Sequence, residues 1–346
     1  MPVQPPPFVS FCLTTFKRHD HLLATLNSIL NQTFTDYEVI VSDNDPDQSG
    51  RPVVEGFDNP KFKYFPNPEN LGMKKSFNKS LERSTGEYIV MIADDDPVYP
   101  DMLQTLVNLK TSYPGYGMYL GGCDLFCTHY NIANLYGIKV GTNSCLSNNH
   151  DLNYVKTFKP YEFINDIFSS KIFTHYLWST GMVKRAVLIE CGGVPDYGTP
   201  FLGDYAYLSI MGAHSGCVII NKSLGCQTVH NENFGRNQNE QLSIVAVNFP
   251  KYLHEKLSYM PQWKEIEKLI HHFVGVWLTG HMAFLYHYND GNKHEIRASL
   301  LLAEKEIFKN KFIKKYRIKY FLKKNFPLIH NGILKIKRTL LNPARV

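Results

Sequence analysis

Two phosphate-binding glycine signatures are missing from this chain. Its first apolar run, residues 8–13, is followed by TTFKRHD, which contains no glycine. A dinucleotide-binding turn needs GxGxxG at that point and a P-loop needs GxxxxGK followed by Ser or Thr, so both are excluded. A phosphate bound there lacks a backbone cradle and must be neutralised by something else. No stretch approaches the ~20 apolar residues of a membrane-spanning helix. Residues 1–7 have neither the charged start nor the apolar segment of a signal peptide, so the expectation is a cytoplasmic protein. The seven cysteines are odd in number, scattered and without a CxxC pair, which favours reduced core thiols over a zinc site or a disulfide framework. Acidic residues are nearly absent from the last 46 positions, where thirteen Lys and Arg face only Glu304 and Glu306. That tail carries +11 while residues 1–300 carry −5.

What is present suits a large folded chain: 346 residues, 44% hydrophobic and 20% charged, enough to bury a full core. Residues 8–13 read as a buried strand ending in Thr14 and Thr15. Leu22, Leu23, Leu26, Ile29 and Leu30 then recur at helical spacing. A second strand, residues 37–41, ends in Ser42-Asp43-Asn44-Asp45-Pro46, and a weaker third covers residues 62–65. Strands alternating with helices predict βαβ units and an α/β fold with a mostly parallel sheet flanked by helices.

The stretch around which the rest is arranged is residues 70–101. Residues 88–92 are continuously apolar, the pattern of a strand covered on both faces, and Asp94, Asp95 and Asp96 follow at once. Such a sheet binds ligands outside the carboxyl ends of its strands. Thr14, Thr15, Asp43 and the three aspartates are therefore expected in one acidic crevice. Adjacent carboxylates repel, and a divalent cation shared with a diphosphate is the simplest remedy. A nucleoside diphosphate conjugate suits the arrangement, with Asp43 accepting hydrogen bonds from base or ribose. The plain alternative for DDD is a solvated acidic turn.

SFCLTTFKR, LNSILNQTFTDYEVIVSDND, ENLG, GEYIVMIADDDPVYPDML and WSTGMVKR, in this order, resemble the successive motifs of the family-2 glycosyltransferases, inverting enzymes with the GT-A fold. The resemblance covers about residues 8–235. It implies that Thr14 and Asp43, with Thr15 and Asn70 beside them, contact the nucleotide-sugar donor. Asp95 is then the metal-binding aspartate of the DxD motif, and Asp94 lies against the ribose or the metal shell. It further implies an Mg2+ or Mn2+ cofactor, His230 near the diphosphate or metal, Trp178 facing the acceptor, and Asp204 as the base at a helix start. Two positions depart from the pattern. The usual first Asp of the motif falls on Ala93, and the Arg that many relatives carry in the helix after the Asn70 turn falls on Phe77, leaving a basic donor contact to Lys74 or Lys75. Each assignment has a bland counterpart: Asn70 as a loop former, Trp178 as a core ring, Asp204 as a helix N-terminal carboxylate, Lys75 on a solvated face.

Ile266, Leu269, Ile270, Phe273, Val274, Trp277 and Leu278 form a buried helical stripe. Residues 311–324, KFIKKYRIKYFLKK, fit helix and strand periodicity alike, and their basic-aromatic composition fits anionic lipid headgroups, nucleic acid or a plain solvated surface. The expected organisation is a leader at 1–7, a donor-binding half at 8–115, an acceptor and base half at 116–240, and a helical, basic C-terminal extension at 241–346. The expected function is metal-dependent inverting transfer of a sugar from a nucleotide-sugar donor to a glycan or lipid-linked saccharide acceptor in polysaccharide biosynthesis. The tail would give peripheral contact with the inner face of the cell membrane. A sugar nucleotidyltransferase would want a glycine-rich loop after strand one. A non-catalytic binder of sugar or nucleic acid is the other competitor, and the −5 body argues against a nucleic-acid partner.

Overall fold

The computed structural model describes residues 5–127, 140–143, 146, 151–172, 178–230, 241–288 and 293–328. The end of the basic tail, 329–346, and the start of the leader, 1–4, lie outside these residues. The chain divides into two compact units.

The first unit holds Met1–Asp196, Leu202–Asn231 and Lys256–Gln262. Its α/β frame begins with β1 (Val9–Thr15), α1 (His19–Leu30), β2 (Tyr37–Asp43), α2 (Arg51–Glu55), β3 (Phe62–Pro66), α3 (Met73–Arg83), β4 (Tyr88–Ala93) and α4 (Met102–Ser112). Strands β3, β2, β1 and β4 lie side by side and parallel. They are apolar because both faces are covered: Val9, Phe11, Leu13, Val39, Val41, Val90 and Ile92 are buried, with Leu22, Leu26 and Ile29 of α1 and Leu103 and Leu106 of α4 in the same core. The sheet continues through β5 (Met118–Cys127), β6 (Val140–Asn143), β7 (Val155–Phe158), β8 (Gly181–Lys184) and β9 (Cys217–Val229). Its order is β3-β2-β1-β4-β8-β5-β9-β7, with β6 on β5. Strand β8 runs antiparallel to both β4 and β5, whereas β5 and β9 are parallel. Three helices accompany this half: α5 (Pro160–Phe168), α6 (Arg185–Glu190) and α7 (Gly203–Ser215). The 115/116 division expected from sequence falls between α4 and β5, and both sides of it contribute to this one sheet.

The second unit is helical: α8 (Leu242–Leu257, whose last residues count with the first unit), α9 (Trp263–Tyr288), α10 (Lys293–Ile307), a 3-10 turn at Lys314–Tyr316 and α11 (Arg317–Asn325). The anticipated stripe on α9 is its core face, with Ile266, Ile270, Phe273, Val274 and Leu278 buried. Residues 314–325 are helical rather than extended, and Tyr316 and Tyr320 are buried. The five cysteines whose side chains are described, Cys12, Cys123, Cys191, Cys217 and Cys226, are free thiols. No described helix is long and apolar enough to cross a membrane.

Candidate active site

Register sets the site. In the parallel block Thr15 of β1 pairs with Asp43 of β2, and Thr14 pairs with Ala93 of β4, so the next residue of β4's path, Asp94, arrives beside Thr15. The Thr15 hydroxyl donates to Asp94 Oδ2 at 2.7 Å, and Thr25 of α1 donates to the Asp94 carbonyl at 2.8 Å. The chain then turns at Pro97, and Val98 bridges Gly225 of β9. Cys226 N–H donates to the Pro97 carbonyl at 2.8 Å. A Cβ on Gly225 would sit 3.0 Å from that carbonyl oxygen, a tight contact that glycine avoids. The bridge draws β9 against the acidic loop and delivers His230, the residue after β9, to Asp95: Nε2 lies 3.0 Å from Asp95 Oδ2. His230 in turn stacks on His21 of α1 with ring centroids 4.5 Å apart.

Asp94 and Asp95 are buried, Asp96 is half-buried, and their environments differ. Arg18 donates through Nη1 to Asp95 Oδ2 at 2.8 Å and to Asp94 Oδ1 at 3.2 Å. Burial raises the Asp95 carboxyl, but His230 and Arg18 outweigh it and hold the group below the ordinary carboxylate range. Asp94 is pushed up to about 6 by burial and by the Asp95 charge, against the pull of Arg18. Asp96 is raised further, by burial first, then by Asp95, while Ser179 donates to its Oδ2 at 2.8 Å. The charge of Asp204 adds to that rise, which places Asp204 within electrostatic reach of the acidic loop. Asp204 stands in the first turn of α7, after Leu202, whose φ of 62° is left-handed. Burial pushes Asp204 up to about 6.

Thr15, Asp94, Asp95 and His230 thus meet directly, with Asp204 nearby. The remaining candidates sit apart from this contact set. Thr14, one residue along the strand, projects to the opposite face, where its hydroxyl lies 2.5 Å from Ser76 Oγ of α3. Asp43 is fully buried: Tyr64 OH donates to it at 2.7 Å, and the N–H groups of Gly50 and Asp45 donate at 3.0 and 2.9 Å. Asn70 shapes the turn into α3, accepting from Gly72 N–H at 2.9 Å, and Lys75 is exposed on that helix. Lys74 pairs with Asp196 at 3.3 Å. Trp178 is half-buried, its ring 5.0 Å from Phe77 and 5.2 Å from Tyr207. Phe77, standing where relatives were expected to carry Arg, is therefore a packing partner of that tryptophan.

Sequence reasoning missed Arg18, His21 and Ser179. Arg18 was findable: three carboxylates demand a positive charge, and Arg18 follows closely after β1 on the same crevice. As a place for a divalent cation, Asp95 and His230 offer one carboxylate oxygen and one imidazole nitrogen. No cluster of three or more His, Cys, Asp or Glu suited to a metal occurs among the described residues. That donor set fits a cation completing its shell with substrate phosphates and water, as Mg2+ does at phosphate-transfer sites. Arg18 lies on the same Asp95 oxygen and would have to yield it.

A family model described as Glycosyl transferase family 2 matches residues 10–187. Among curated proteins, the chain is 32% identical over 120 residues to GalNAc(5)-diNAcBac-PP-undecaprenol beta-1,3-glucosyltransferase of Campylobacter jejuni, covering 34% of this chain and 38% of that protein. It is 32% identical over 127 residues to abequosyltransferase RfbV of Salmonella typhimurium, with coverage of 34% and 38%. The matches therefore span well under half of these relatives. Among solved structures, S. aureus TarS 1-349 in complex with UDP-GlcNAc aligns with a TM-score of 0.54 at 16% identity, over 90% of this chain and 92% of that one. Mannosyltransferase PcManGT from Pyrobaculum calidifontis, in complex with GDP-Man and Mn2+, aligns with a TM-score of 0.52 at 17% identity, over 94% and 88%. At these identities the likeness is one of fold, the GT-A arrangement.

Proposed function

The chain belongs to glycosyl transferase family 2, and from that premise we propose metal-dependent transfer, with inversion, of a sugar from a nucleotide-sugar donor to a glycan or lipid-linked saccharide acceptor. The observation that carries the reading is the contrast between two carboxylates, Asp95 and Asp204. Asp95 is held ionised by Arg18 and His230, as an anchor for a cation and diphosphate requires. Asp204 is lifted to about 6 by burial alone, as suits a group that must take a proton near neutral pH.

In the reaction the acceptor hydroxyl oxygen attacks the anomeric carbon, and the bond from that carbon to the diphosphate oxygen breaks. Asp204 takes the hydroxyl proton on the face opposite the leaving group, and a single displacement inverts the anomeric centre. Asp95 and His230 would hold the cation, which when bound supplies charge that screens the departing diphosphate. Thr15 and Arg18 keep Asp94 oriented beside it. The relatives' printed names, an undecaprenol-linked glucosyltransferase and an abequosyltransferase, support a saccharide acceptor built on a lipid carrier and a role in surface-polysaccharide assembly. Peripheral membrane contact through the basic extension is part of the same reading.

A screen of nucleotide sugars with purified protein and Mn2+ or Mg2+, counting nucleoside diphosphate released, tests it. One donor class should be consumed, and Asp204→Asn should consume it ~10²–10⁴-fold more slowly while still binding it. Near-native turnover in Asp204→Asn would move the base elsewhere.

A further inference from the structure

The second unit carries a cleft that the transfer reaction does not use. It has a volume of about 360 Å³ and is lined by Lys264, Glu267, Lys268, His271, Phe312 and Lys315. The first four recur at i, i+3, i+4 and i+7 on α9, so they share one helix face. The turn before the 3-10 segment closes the other side, where the Phe312 ring stacks on His271 with centroids 3.8 Å apart and planes at 13°. The floor is thus aromatic and the rim is cationic. Among the described lining residues Glu267 alone is acidic, and its carboxylate also lies 3.9 Å from His254 Nδ1. Among the described residues, Lys264, Lys268 and Lys315 have no carboxylate within ion-pair distance, whereas Lys309 and Lys324 of the same unit are paired at 2.7 and 2.6 Å. The field is felt inside: His271 is depressed first by burial and then, against Glu267, by Lys311 and Lys315. Three unpaired ammonium groups around an aromatic floor repel one another until an anion joins them.

We propose that this cleft binds a phosphate mono- or diester, its oxygens taken by Lys264, Lys268 and Lys315 and its carbon skeleton lying on Phe312. The phosphate belongs either to the headgroup of an anionic lipid or to a free phosphorylated molecule, and the chemistry of recognition is the same. The inference does not rest on the transferase reading, because its readout is binding and not turnover.

The test uses the full chain and two probes, sn-glycerol 3-phosphate by calorimetry and vesicles of phosphatidylcholine with phosphatidylglycerol by sedimentation, both at low salt. The variant is Lys264→Glu/Lys268→Glu/Lys315→Glu, all at exposed positions. The control, Lys305→Glu/Lys314→Glu/Arg317→Glu, makes the same change in net charge at exposed positions outside the cleft. Each basic group near a phosphate is worth about fivefold in affinity, so the cleft variant should lose roughly a hundredfold or more and the control far less. Loss for both probes identifies the phosphate group itself as the ligand, and native binding to vesicles alone assigns the site to lipid headgroups. If charge reversal unfolds the chain, Lys264→Gln/Lys268→Gln/Lys315→Gln repeats the comparison with the same expected order. Native protein that binds neither probe, or equal losses in variant and control, overturns the proposal.

Discussion

At the residue scale, Asp94, Asp95, Asp96 and Asp204 titrate differently because their neighbours differ. Asp95→Asn is expected to abolish transfer with little loss of folding, and a chelator should do the same to the native enzyme; full activity in chelator would remove the cation from the mechanism. Arg18 makes a further prediction. Its guanidinium offsets two buried carboxylates, so Arg18→Ala should lower Tm in metal-free buffer by leaving them uncompensated. Added Mn2+ should then raise the Tm of the variant more than that of the native chain, and an equal shift in both would mean that Arg18 and the cation do not share a place. The pH dependence follows from Asp204, whose base function needs the ionised form. Turnover should fall as pH drops through about 6, and Asp204→Asn should lose that limb. Its effect on stability has the opposite sense. A carboxyl raised above its unfolded value of about 3.9 contributes stability at low pH that is lost as pH rises through about 6. Asp204→Asn should therefore melt above the native chain at pH 7 and draw level with it near pH 4. That Asp94 and Asp95 follow a covered strand was legible because such a strand leaves a local mark, whereas Asp204 was singled out by the family resemblance. The sequence did not show that Arg18 bridges Asp94 and Asp95, since a salt bridge across 76 and 77 positions depends on register.

Elements explain why some candidates stand together and others apart. Thr14 and Thr15 were read as a pair, yet strand alternation sends one to α3 and the other to Asp94. The continuous apolar runs of β1, β2 and β4 and the spacing in α1 and α9 were legible because covered strands and buried helix faces leave periodic marks. Strand β8 was not legible: it is four residues long and lies antiparallel between β4 and β5, a placement decided by pairings far apart in sequence. Helix α7 shows how an element positions a residue at its end. A Cβ at Gly212 would fall 2.1 Å from a ring carbon of Phe163 on α5, a contact that cannot be relieved without moving the helix or the ring. Gly212→Ala is expected to cost about 1–3 kcal/mol. Because Asp204 opens the same helix, turnover should fall as well. Unchanged denaturant midpoint and turnover would show that the α5–α7 packing is looser than its geometry.

For the molecule as a whole, charge is the most uneven property, and it was plain in the sequence as a −5 body and a +11 end. What the sequence did not separate is which residues of that end are surface and which are core. Tyr316 and Tyr320 are buried, and the Tyr320 hydroxyl and Lys324 both bond Glu304. Periodicity was ambiguous there because core aromatics alternate with lysines that only skirt the surface. A chain shortened to residue 303 should therefore lose the fold of the second unit and precipitate. One ending at 328 should stay soluble and release diphosphate with a soluble acceptor analogue; solubility of the shorter chain would contradict the packing of α11. One displacement with Asp204 as the base leaves its mark in the stereochemistry of the product. Once a donor is found, proton NMR of the early product should show an anomeric configuration opposite to that of the donor sugar. Retention would rule out a single displacement, because it requires two displacements or attack from the face that the diphosphate leaves.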